Sequence, residues 1–191
     1  MIDQFVLFSG CARDIFISAE TTFKGDTTSA TYIKQFLTNL VSSITIGPHD
    51  NQVAVSAFDS HLDHKIDLND HNLGSQLIAN INSIDFNRHH SDNSDLSHAL
   101  SDLKNDIQGK PRARANVTSV VLLIANHKPD RSGTVDSHLL TSVSPNVIVV
   151  DIGAGTGTAV PLATDANHVV SVPLYSDLRN ALQPVLALLC V

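Results

Sequence analysis

The chain has 191 residues, 42% hydrophobic and 16% charged, with a formal net charge of −7. That length fits a single domain over residues 1–191 with its core in 11–190, and the ordinary apolar content excludes a disordered chain. The acidic balance excludes non-specific nucleic-acid binding, which relies on clustered Lys and Arg.

Met1 to Phe8 lacks the basic start and longer apolar run of a secretory signal, so Met1 reads as an expression start within a longer native chain. Asp14-Ile15-Phe16-Ile17-Ser18-Ala19 is a short buried strand that runs into Glu20-Thr21-Thr22-Phe23-Lys24 and a polar loop. From Thr28 to Ile46, Tyr32, Ile33, Phe36, Leu37, Leu40, Val41 and Ile44 recur at helical spacing, and Gly47-Pro48 stops the helix. Gln52 to Phe58 is a strand. Leu62 to Leu68 is its edge partner across Asp59-Ser60-His61, which predicts one antiparallel pair.

Leu73 to Ile84 is a second helix with Leu73, Leu77, Ile78 and Ile81 inward. After the polar loop Asn87 to Asn93, Ser94 is placed as the N-cap of a third helix, whose apolar side carries Leu96, Ala99, Leu100, Leu103 and Ile107. Lys104, Lys110, Arg112 and Arg114 form the one basic cluster. It reads as a solvated loop, with a contact patch for an acidic partner as the alternative. Val117 to Ala125 and Val147 to Ile152 are near-continuous apolar runs, as in central parallel strands covered on both faces. His168 to Val172 is a last strand, and a closing helix runs from about Ser176 to Leu189. Strands alternating with helices predict an α/β fold: a doubly wound, mostly parallel sheet with one antiparallel edge strand and helices on both faces.

Cys11 and Cys190 lie at the two ends of this pattern. They are either two free thiols or one disulfide. In a doubly wound domain the last helix packs near the first strand, which favours the bridge and with it an oxidising compartment. Asn116-Val117-Thr118 is an N-glycosylation acceptor sequence ahead of a strand.

Chemistry-bearing motifs are sparse. Asp151-Ile152-Gly153-Ala154-Gly155-Thr156-Gly157 is similar to the first motif of S-adenosylmethionine-dependent methyltransferases, but that motif opens a sheet and here too little chain follows it. It reads instead as a glycine-rich turn after a late strand. Of ten histidines, His61, His64, His71, His89, His90 and His98 crowd the middle of the chain. His89, His90 and His98 with Asp92 match no zinc-ligand spacing and read as solvated loop residues that make binding pH-sensitive. No Gly-x-Ser-x-Gly elbow is present, and the pairs Asp67/Asp70 and Asp102/Asp106 suit exposed edges, so no enzyme is expected.

The order of these pieces resembles the von Willebrand factor A family from Cys11 to Cys190. The resemblance rests on the flanking cysteines, Arg13 to Ile17, Leu40 to Pro48, Val53 to Phe58, Ser94 to Leu100, Val120 to Ala125 and the Asp151-Ile152-Gly153 turn. It implies three loops at the carboxyl ends of the strands that bring hydroxyls and carboxylates to one Mg²⁺ or Mn²⁺, with an acidic ligand residue completing the shell. Carried over by position, Glu20 stands for the first loop's Asp, Thr22 for its first Ser and Lys24 for its second. Ser94 stands for the second loop's Thr, Ala125 for the third loop's Asp, and Asn126 for the Gly after it.

Those substitutions oppose a metal. Ala125 has no donor atom, and an ammonium at Lys24 a few Å from a cation would cost about 1–4 kcal/mol at surface dielectrics. The expectation is no cofactor and no tight metal, at most a weak Mg²⁺ or Mn²⁺ held by Glu20, Thr22 and Ser94, with Lys24 replacing the ion and pairing with Glu20. The resemblance then implies a secreted, non-catalytic adhesion or matrix module. Its partner would be an extracellular matrix or cell-surface protein, collagen among the candidates, met through the loops around Glu20–Lys24, Arg88–Ser94 and Asn126–Ser132. The alternative is a structural spacer that self-associates in a larger matrix protein, and a methyltransferase comes last.

Overall fold

The computed structural model describes residues 11–21, 27–59, 61–87, 96–109, 114, 116–126, 139–153 and 162–190. In chain order the elements are β1 (Arg13–Glu20), α1 (Thr27–Ser42), β2 (Gln52–Phe58), β3 (Leu62–Ile66), α2 (Gly74–Ser83), α3 (Leu96–Gly109), β4 (Thr118–Asn126), β5 (Asn146–Ile152), β6 (Val169–Val172) and α4 (Leu178–Leu189). The strands form a six-stranded sheet in the order β3-β2-β1-β4-β5-β6. All neighbours are parallel except β2 and β3, which pair antiparallel with a register shift between Val55 and Ser56. The expected hairpin and edge strand are therefore present.

Side-chain alternation along the strands divides the core between the two faces of the sheet. Ile15, Ile17, Val53, Val55, Val120, Leu122, Ile124, Ile148 and Val150 pack under α1, α2 and α4. Phe16, Phe58, Val121, Leu123, Ala125, Val147 and Val149 face the opposite way, against Ala99, Leu100, Leu103 and Ile107 of α3. With helices on both faces the sheet has no solvated side, which is why β2 and β5 are buried along their whole length.

α1 stops at Ser42, short of the expected Ile46. The hydroxyls of Ser42 and Ser43 donate to the carbonyls of Thr38 and Asn39 at 2.7 and 2.8 Å. Such back-bonding offers the last turn an alternative to the helix ladder, and Ile46 instead forms a bridge with Asn51. Ser94, the expected cap of α3, lies outside the described residues.

The sheet's lower end, where the parallel strands begin, is held by an ion pair. The Asp14 carboxylate has no solvent exposure. Its Oδ1 accepts from Nε and Nη2 of Arg114 at 2.9 and 2.7 Å, and its Oδ2 accepts from the Arg114 backbone N–H at 2.7 Å. The guanidinium also donates to the carbonyls of Pro48, Arg13 and Asp50. Arg114 is thus a structural tie between the β1 start, the α1–β2 connection and the segment before β4, not part of a solvated basic loop or a contact patch. Lys110 and Arg112 lie outside the described residues.

The two ends of the described chain meet at the same level. Cys11 and Cys190 are bonded, with Cα atoms 5.7 Å apart. Beside the bridge, Arg13 Nε donates to Leu189 O and Asn146 Nδ2 to Leu188 O, both at 3.0 Å. A cation and an amide thus satisfy carbonyls that the end of α4 leaves open. Ahead of β6, Asp165 caps a short 3₁₀ turn, Ala166–His168. Hydrogen bonds from the His168 side chain and then the Asn167 backbone hold its carboxyl below the usual carboxylate range.

Candidate functional site

The strand order reverses between β1 and β4. The chain winds out to β2 and β3 on one side and returns to build β4, β5 and β6 on the other. In such sheets the crevice outside the carboxyl ends at this switch point is where ligands bind. Glu20 ends β1 and Asn126 ends β4, so the two best-placed residues of the sequence reading flank that crevice.

The structure joins them directly. Glu20 is 1% exposed, and its Oε2 accepts from the Asn126 backbone N–H at 2.7 Å. A carboxylate receiving a backbone N–H in a protected place makes a strong, short hydrogen bond. This one spans the switch point. Glu20 follows Phe16 by four residues, so it lies on the α3 face of the sheet.

Ala125 sits on the same face, 3% exposed, in the apolar cluster beneath α3. Its methyl adds packing where a ligand group would add an oxygen. Its register partner on β5 is Asp151, which is also buried. A third buried carboxylate, Asp59, follows β2 and accepts the His61 backbone N–H at 3.0 Å. Next to Glu20, Thr21 donates to Phe58 O through both its backbone N–H (2.8 Å) and its hydroxyl (3.0 Å). Gly153 has φ +85° and donates its N–H to Val172 O at 2.9 Å. A Cβ there would lie 3.4 Å from Asn126 Oδ1, so the Asn126 side chain leans over the end of β5.

Thr22, Lys24 and Ser94 lie outside the described residues, and so does the expected Lys24–Glu20 pair. The same holds for His89, His90, Asp92, Lys24 to Asp26 and the loop after Asn126. Asn116 and Thr118 are exposed at the start of β4, at the opposite end of the sheet from this crevice. His98 stands beside His61 and Asp102, a grouping that chain spacing did not indicate.

Sequence reasoning missed two residues of the upper edge. Asp59 was read only as part of a turn. Asp151 entered through a glycine motif and the family's Asp151-Ile152-Gly153 turn, not as a buried carboxylate of the crevice. The available signal for both was an aspartate at the carboxyl end of an otherwise apolar strand, where burial is expected and a partner is required.

No curated protein sequence matches the chain. Solved structures do. Proximal thread matrix protein 1 from the mussel byssus superposes with a TM-score of 0.82 at 20% identity, over 94% of this chain and 48% of that one. A second structure of that protein, described as having a zinc-occupied MIDAS motif, gives the same values, and a third gives 0.78 at 16% identity. Likeness at this identity shows a shared fold, and the chain spans about half the length of those proteins. The sequence profile of the von Willebrand factor type A domain matches residues 24–183, and the chain belongs to that family.

Proposed function

We propose that this chain is a non-catalytic protein-binding module of an extracellular matrix, and that its strand-end crevice works without a divalent metal. One observation carries the reading. Ala125, where the family pattern has an aspartate, is buried and has only a methyl to offer, while Glu20 Oε2 on the adjacent strand accepts the Asn126 N–H. Hard cations such as Mg²⁺ need several oxygens in near-octahedral order, and these residues do not fit one. The bond between Glu20 and Asn126 closes the edge that an ion would otherwise organise.

A matrix setting is supported by the fold shared with a byssal matrix protein and by the Cys11–Cys190 bond, which persists in oxidising surroundings. Exposure of Asn116 and Thr118 is compatible with glycosylation during secretion. No described helix is long and apolar enough to cross a membrane. An extracellular partner, with collagen the first to try, fits these features.

The test is binding of the chain to immobilised fibrillar collagen and a panel of other matrix proteins, in buffers with and without Mg²⁺. Saturable binding with equal affinity in both buffers is expected. Binding that appears only with Mg²⁺ would contradict the reading. Self-association in sedimentation without binding to any matrix protein would favour the spacer alternative.

A further inference from the structure

His61 lies in the β2–β3 turn, whose shape is fixed by two hydrogen bonds. The His61 N–H donates to Asp59 Oδ1 at 3.0 Å, and the Asp59 N–H donates to His61 O at 3.3 Å. His98 and Asp102 are four residues apart on α3, so they share one helix face. The Leu62 N–H donates to Asp102 Oδ2 at 3.4 Å, which docks that face on the hairpin.

The three side chains converge. His61 Nδ1 is 3.6 Å from Asp102 Oδ2, and His98 Nε2 is 3.9 Å from Asp102 Oδ1. The two imidazoles meet edge to face with ring centroids 4.6 Å apart. One donor atom from each residue lies within 4.8 Å of the others. Around a tetrahedral zinc with bonds of about 2.0–2.1 Å, neighbouring donors stand about 3.3 Å apart. Small rotations of exposed side chains close that difference, and the imidazoles, 62% and 54% exposed, leave an ion free to enter.

We propose that His61, His98 and Asp102 form a zinc site that joins the β2–β3 turn to the upper part of α3. Two imidazoles and one carboxylate suit Zn²⁺, whereas Mg²⁺ and Ca²⁺ select oxygen-rich sets. Three protein ligands leave the fourth position to water. The Leu62 N–H on Asp102 supplies the outer hydrogen bond that orients a ligating carboxylate. Two of the ligands come from one helix and the third from a turn fixed by Asp59, so little chain must be ordered to bind the ion. The site uses neither Glu20 nor Asn126 and stands apart from the metal-free reading of the crevice.

Isothermal calorimetry of Zn²⁺ with the chelator-stripped 191-residue chain tests this. One ion per chain is expected. His61→Ala and His98→Ala should each weaken binding by about 100-fold or more, at or beyond the upper end of outer-ligand losses. Asp102→Asn keeps an oxygen for the Leu62 N–H and removes the anionic ligand. It should weaken zinc binding by at least about 10-fold while leaving the zinc-free melt unchanged, which a purely structural Asp102 would not do. His71→Ala, on the β3–α2 connection, should bind like the parent chain. Absence of binding overturns the proposal, and so does affinity undiminished in both histidine variants. Loss of zinc in Glu20→Gln with retention in His61→Ala would move the ion to the crevice and overturn both readings.

Discussion

Arg114→Ala is expected to destabilise the fold by about 3–5 kcal/mol, the cost of leaving a buried charge without its partner. Asp14 has no solvent exposure, and three of its hydrogen bonds come from Arg114. The side chain's truncation removes two of them, together with the donors to the carbonyls of Pro48, Arg13 and Asp50. For a chain of this size the melting temperature should fall by about 6–20 °C. Arg114→Lys should recover only part of the loss, because an ammonium cannot copy the planar fork that reaches four acceptor groups. Urea denaturation of Asp14→Ala, Arg114→Ala and the double variant completes the cycle. The double variant should lose much less than the sum of the singles, since removing both partners leaves no orphaned charge. Simple additivity would mean that the pair does not act as a unit.

The second large effect belongs to the bridge. Its two cysteines are 179 residues apart, and the chain-entropy account assigns a loop of that size about 5 kcal/mol. Losses on removing native disulfides typically run from about 2 to 5 kcal/mol. Cys11→Ser with Cys190→Ser should fall within that range in urea denaturation, and reductant should no longer change the midpoint. The folded chain should keep α4 in place, because Arg13 and Asn146 hold its last carbonyls and Val185, Leu186 and Leu189 are buried against the sheet. A double variant as stable as the parent would show that the bridge adds nothing to the constraint already present.

Much of the architecture was legible because the signals were local. Val120 to Ile124 and Val147 to Val150 are apolar without alternation, which marks strands covered on both faces. The hairpin at β2 and β3 followed from a short polar turn between two β-prone runs. The end of α1 was misplaced because periodicity continues through Ile44, while the back-bonding hydroxyls of Ser42 and Ser43 at its end carry no periodic signature. Arg114 was misread for a different reason. Its partner lies 100 residues away, and proximity to Lys110 and Arg112 in the chain suggested a shared role that folding does not give it. A better clue was Asp14 itself, a charge inside an otherwise buried strand that demands a partner.

The site divides along the same line. Glu20 and Asn126 were found by position in the family pattern, and the sheet brings them together through adjacent strands. Their hydrogen bond joins a side chain to a backbone N–H, so residue types alone could not predict it. His61 was noticed only as a member of a histidine-rich stretch, and His98 was grouped with His89, His90 and Asp92 as a loop residue, whereas it lies on α3. One sits on a turn and the other on a helix, so their meeting depends on how α3 docks.

In the function proposed above, protein groups rather than an ion close the crevice between β1 and β4. Thermal unfolding in metal-free buffer and in millimolar Mg²⁺ tests it most directly. No shift is expected. A site occupied at 100 times its dissociation constant would add about 2.7 kcal/mol, a rise of about 5–10 °C for a chain of this size. A rise of that order that disappears in Glu20→Gln would place the ion at the end of β1 and contradict the account.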